Sequence, residues 1–263
     1  MRSTRRTTFA LATGVAAGAL AFTASAAGPP MTAHTGAKLR VLTPSKSQLV
    51  TGNSLSTRVA LSNFKIDCAL AGTPNRKGIG HYHIELDHLL VNMFCGPRAQ
   101  ISMKNVTPGP HQLKFIPATN SHMDDMQAAK TRPFVYRPSH PLSKARPLHF
   151  PGKPSIRIVS PRNGATVRKS FDLVVAVRNF RLSCDLYGKE NLAGWGHWHA
   201  NVDTTTRGMM GMATMLGMSC GRSFHISLAG IEPGTHRFIA ILVDNIHAPS
   251  VGAQDAVRLT VAK

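Results

Sequence analysis

The chain has 263 residues, with 31 lysines and arginines against 12 acidic residues and a net charge of +19. Such an excess suits contact with anionic envelope polymers or a lipid surface. The basic residues are spread out and only 6% of residues are aromatic, which argues against a specific nucleic-acid reader. The sequence has no nucleophile elbow, P-loop or dinucleotide fingerprint, so no enzyme class is indicated.

In chain order, the first element is a leader. Arg2, Arg5 and Arg6 precede a weakly apolar stretch from Phe9 to Phe22, and Ala24-Ser25-Ala26 is a small-x-small cleavage site. Residues 1–26 read as a signal peptide, exported by the twin-arginine or the general secretory route. No later apolar run approaches the ~20 residues of a spanning helix. The mature chain is therefore expected outside the cytoplasm, as an extracellular, periplasmic or cell-envelope protein. There, an even number of cysteines implies disulfides, and four cysteines allow three connectivities.

Residues 38–136 follow as short alternating runs separated by Gly, Pro and Asn. STRVALSNF, HYHIELD, AQISMKNV and HQLKFIPAT fit strands B, C, E and F of an immunoglobulin-like β-sandwich, with a cupredoxin-like Greek key as the alternative. Residues 137–154 form a Pro-rich basic linker. From Asp125 to Asp172 there are ten Lys or Arg and no intervening acid.

Residues 155–263 then repeat the first unit. KLRVLTP answers to SIRIVSP, NFKIDCAL to NFRLSCDL, GIGHYHIELD to GWGHWHANVD, MFCG to MSCG, and PGPHQL to PGTHRF. The sizeable difference is an insertion of nine residues between His199 and Cys220. A unit present twice predicts two tandem all-β sandwich domains. Each unit owns two cysteines at matching places, which selects Cys68–Cys95 and Cys184–Cys220.

Alternation along HYHIELD turns Tyr82, Ile84 and Leu86 to the core and His81, His83, Glu85 and Asp87 to the other face. The second copy turns Trp198, Ala200 and Val202 inward and His197, His199, Asn201 and Asp203 outward. In an immunoglobulin-like sandwich the B–C and F–G loops share one end. His81, His83 and His122 should therefore meet, with Asn120, Asp124 and Asp125 nearby. His197, His199 and His247 should meet likewise. An extended strand carries His111 and His236 to the opposite end, and Asp87 and Asp203 read as turn or hydrogen-bonding residues.

The series G-x-G-H-x-H-x-x-x-D, PG-x-H and N-x-H resembles a family of bacterial exported domains of unknown function. His81, His83, Asp87, His111 and His122 match its pattern, as do His197, His199, Asp203, His236 and His247. Tyr82 and Trp198 stand where its members carry a middle histidine, and the cysteines are not part of that pattern. The resemblance implies a fold and a site location but no reaction.

Three imidazoles suit copper or zinc. The reading is thus a secreted or envelope-associated protein binding copper or zinc in each repeat. The alternative is a structural or adhesive envelope protein whose histidines are not ligands. Thioethers are soft ligands that select Cu(I), so Met209, Met210, Met212 and Met215 in the insertion are secondary candidates. Met93 and Met218, each two residues before a cysteine, read as core.

Overall fold

The computed structural model describes residues 33–249 and 252–263, with Met209 and Met210 described by their backbone only. The expected signal peptide, residues 1–26, lies outside them. The described residues belong to one compact unit and contain no α-helix.

The first repeat contributes nine strands. They are β1 (Lys38–Thr43), β2 (Gln48–Val50), β3 (Ser54–Ser62), β4 (Lys65–Ile66), β5 (Ile79–Leu86), β6 (Leu89–Phe94), β7 (Arg98–Ser102), β8 (Gly109–Thr119) and β9 (Lys130–Tyr136). The second repeat contributes their nine counterparts. These are β10 (Ser155–Ser160), β11 (Thr166–Val167), β12 (Ser170–Arg178), β13 (Arg181–Leu182), β14 (Trp195–Val202), β15 (Met215–Ser219), β16 (Ser223–Ser227), β17 (Gly234–Val243) and β18 (Gln254–Val261).

Each repeat stacks two sheets. In the first, β1-β3-β7 faces β2-β9-β8-β5-β4, with β6 also paired to β5. In the second, β10-β12-β16 faces β11-β18-β17-β14-β13, with β15 on β14. This is the strand pairing of an immunoglobulin- or fibronectin-type sandwich, so the protein is two tandem all-β sandwiches. Sequence alternation produces the burial. The run SLSTRVALS alternates exposed and buried positions, and Leu55 and Val59 enter the core. Tyr82, Ile84, Leu113 and Phe115 complete the first core, and Trp198, Ala200, Phe238 and Leu242 the second.

Both expected disulfides are formed, Cys68–Cys95 and Cys184–Cys220, with Cα atoms 5.2 and 5.3 Å apart. The glycine after each second cysteine has a visible task. The Tyr82 hydroxyl donates to Gly96 O at 3.0 Å, and Trp198 Nε1 donates to Gly221 O at 2.8 Å. The core aromatic of each repeat thereby satisfies its polar tip.

The stretch 137–154 carries no strand, yet it is tied to both repeats. Ala145 N donates to Asn105 Oδ1, Leu148 N to Ala193 O, and Trp195 Nε1 to Arg146 O.

The outer face of β5 departs from the sequence reading. A histidine on a strand's outward face is ordinarily wet, but here β5-β6 packs against β14-β15 of the other repeat. Tyr187, Met212, Met215 and Met218 join the apolar cluster of the first sandwich. Gly72, at φ +73°, lies so close to Met215 that a Cβ would come within 2.8 Å of its backbone. Gly188, at φ +62°, meets Leu90 O in the same way at 2.8 Å. Gly72 matches Gly188, and Met215 matches Leu90. Residue i of one repeat thus touches j of the other, and the converse, which is the signature of a two-fold interface.

Candidate metal centre

Two glycines prepare each histidine strand. Gly78 and Gly194 have φ of +69° and +79°, the left-handed region that glycine enters freely. At Gly80 and Gly196 a Cβ would collide with the carbonyls of Ala118 and Val243 on the neighbouring strand. The G-x-G thus turns the chain and then lets β5 and β14 press against β8 and β17 just before the first histidine. A β-bulge follows the second histidine in both copies, between Ile84 and Glu85 and between Ala200 and Asn201.

The third histidine comes from the loop after β8 or β17. His122 and His247 have φ of +59° and +67°. A non-glycine residue there costs roughly 1–2 kcal/mol, and both copies keep it. Such recurring strain marks a position held for a purpose.

The histidines meet as expected: His81, His83 and His122 form one cluster, and His197, His199 and His247 the other. All six are buried. In the first, His81 Nε2 is 3.1 Å from His83 Nε2, which is 3.4 Å from His122 Nδ1. In the second, His197 Nε2 is 3.0 Å from both His199 Nε2 and His247 Nδ1, and the last two are 3.3 Å apart.

Hydrogen bonds outside the clusters fix the tautomers of His83, His122 and His247. His122 Nε2 is 2.7 Å from Met215 O, and His247 Nε2 is 2.8 Å from Leu90 O. A carbonyl only accepts, so each Nε2 donates and each Nδ1 turns a lone pair into its cluster. His83 Nδ1 donates to Asp124 Oδ1 at 2.7 Å, leaving a lone pair on its Nε2. His83 and His122 therefore face each other lone pair to lone pair. That contact is repulsive unless a proton or a metal ion lies between them. Tetrahedral bonds of 2.0–2.1 Å to nitrogen place ligand atoms ~3.3–3.4 Å apart, close to the spacing seen.

Burial keeps five of the six cluster histidines neutral. Burial, then the charges of His122 and His83, holds His81 well below the usual imidazole value. Burial depresses His122 to about 3 and His247 to about 4. Burial, then His247 and His199, depresses His197, while His199 is lowered by burial, His247 and the first repeat's His122. The two clusters thus sense each other across the join. Neutral imidazole is the form that binds a metal.

The clusters are not identical. Asp124 supports His83, whereas Pro249 occupies its place in the second repeat. Tyr187 meets His197 edge to face, with ring centroids 4.4 Å apart, where the first repeat has Ala71. Asn120 is buried beside the first cluster, donating to Pro74 O, and Asp125 binds the Thr35 amide and hydroxyl. Sequence reasoning overlooked Tyr187 and the two carbonyls, which come from the opposite repeat.

The remaining pattern residues sit at the far end. His111 Nδ1 is 2.6 Å from Asp87 Oδ2, and His236 Nδ1 is 2.9 Å from Asp203 Oδ2. Each aspartate also accepts from a β8 or β17 amide, Gln112 N or Arg237 N. These pairs pin the turn after β5 and β14. Of the insertion methionines, Met212 and Met215 lie in the apolar cluster, and the side chains of Met209 and Met210 lie outside the described residues.

Fold and site together define a class: a two-repeat β-sandwich protein with a pair of buried three-histidine clusters at the join. No protein-family model and no curated protein matches the chain. Among solved structures it is similar to the fibronectin(III)-like modules of Clostridium thermocellum CbhA, at 11% identity over 85% of this chain and 93% of that one, with TM-score 0.28. It is also similar to the chicken CNTN1 FN1-FN3 domains, at 12% identity over 85% and 66%, with TM-score 0.23. Likeness at that level carries no inference about function.

Proposed function

We propose that the chain is an exported protein that binds two copper or zinc ions, one in each three-histidine cluster. The observation that carries the reading is the convergence of imidazole lone pairs, fixed by outward hydrogen bonds to Met215, Leu90 and Asp124. Two disulfides, with the leader expected from residues 1–26, favour an oxidising compartment. Among the described residues no helix is long and apolar enough to cross a membrane. The basic surface would hold the protein on anionic envelope polymers or lipid.

Calorimetric titration of Zn(II) and Cu(II) into the chelator-treated protein tests the reading. Two ions per chain are expected. The pair His83→Ala with His199→Ala should lose at least tenfold in affinity, about 1.4 kcal/mol per site. The pair His111→Ala with His236→Ala should retain it. Failure of the wild type to bind either ion more tightly than ~10 μM, about −7 kcal/mol, would return the histidines to a structural or adhesive role.

A further inference from the structure

Four described methionines line the join between the repeats: Met93, Met212, Met215 and Met218. Only Met93 and Met218 recur at matching places. Leu90 stands where the second repeat has Met215, and the first repeat lacks the insertion that carries Met212.

Strand register sets where the recurring pair lies. Met93 on β6 pairs directly with His83 on β5, and Met218 on β15 pairs directly with His199 on β14. Directly opposed residues of an antiparallel pair project from the same face, with Cβ atoms about 4.5–5.5 Å apart. The next pair along, Tyr82 with Phe94, occupies the other face and stacks in the core at 5.7 Å. Each thioether therefore stands on the histidine face, beside an imidazole that turns its Nε2 into the cluster. Methionine is long and unbranched, which gives its sulfur the freedom to turn toward an ion held by the neighbouring imidazole.

Both methionines also line one cleft of about 420 Å³ between the repeats, walled by Cys68, Cys95, Leu216 and Phe224. A gap-filling role would account for an apolar side chain at the join. It gives no reason for a thioether opposite a cluster histidine in both copies, with both facing the same cleft.

We propose that Met93 and Met218 are thioether ligands for Cu(I), one to each three-histidine cluster. The proposal rests on the metal-binding reading above and narrows it. Imidazole alone suits both copper and zinc, whereas an added thioether selects Cu(I).

The test uses the full chain after leader removal, with its disulfides kept oxidised. Cu(I) affinity is measured by competition with bicinchoninate, and Zn(II) affinity by calorimetry, for the wild type and for M93L with M218L. Leucine nearly conserves volume, and retained Zn(II) binding reports an intact fold. Cu(I) binding should weaken at least tenfold while Zn(II) binding stays within twofold. Copper X-ray absorption of the wild type alone should show a sulfur shell, which makes the outcome independent of how the variant folds. Zinc binding with no sulfur shell, or with Cu(I) affinity unchanged in the variant, overturns the thioether role and leaves the histidine clusters standing. A wild type that binds neither ion defeats the metal-binding reading itself.

Discussion

Acid is the perturbation that probes the clusters without any metal. In the folded chain His122 accepts a proton only near pH 3 and His247 near pH 4, and burial depresses His81, His197 and His199 well below the usual value. In the unfolded chain each titrates near 6.5. A folded value below the unfolded one means that the unfolded state binds more protons below pH 6.5. Stability is thus full above that pH and falls as pH drops toward the folded values. At pH 5 His122 and His247 each cost about 2 kcal/mol, about 4 together, and His81, His197 and His199 act in the same direction. A domain's whole stability is roughly 5–15 kcal/mol. His236 runs the other way: burial pulls it down, but the Asp203 carboxylate and Glu232 carbonyl more than reverse this and raise it. Its contribution is present in acid and is lost as pH rises, and one such group cannot offset five. Urea unfolding of the chelator-treated protein, followed by tryptophan fluorescence between pH 7.5 and 5, should show a steep loss of stability below pH 6.5. Stability constant to within ~1 kcal/mol across that range would refute the burial of neutral imidazoles.

Two further predictions concern the join and its asymmetry. Asp124→Asn removes the carboxylate behind His83 only, and should weaken metal binding by about 10–100-fold at one of the two sites; calorimetry should then resolve a tight and a weak phase. Gly72→Ala adds both left-handed strain, roughly 1–2 kcal/mol, and a collision with Met215, whereas Gly36→Ala at φ +72° meets nothing within 4 Å. Urea unfolding should show the larger loss at Gly72, and equal losses would mean that the two repeats do not press together there.

Much of this was legible because the chain says it twice. Matching cysteines selected the disulfides, and strand alternation with sandwich topology brought His81 and His83 to His122. The same alternation misled at one point. Period two says which residues share a face, not what covers that face, and the cover of the His81 side comes from residues more than ninety positions away. Tyr187, with no counterpart in the first repeat, left no repeated signal. Met93 and Met218 did repeat, but an apolar residue two places before a disulfide cysteine looks like packing until the pairing with His83 and His199 is known.

The glycine contacts at Gly72 and Gly188 have a consequence for assembly. They make the chain a dimer of itself, whose halves share a backbone and cannot part on dilution. A tethered partner acts at millimolar effective concentration, so the join should survive where a pair of separate subunits would dissociate. The tether also releases the halves from identity. A true homodimer must carry the same residue on both sides of its axis, whereas this chain places Asp124 on one side and Tyr187 on the other. On the proposed reading, two ions held by the same three residue types would therefore be bound with different strengths, loaded in sequence and given up in the reverse order.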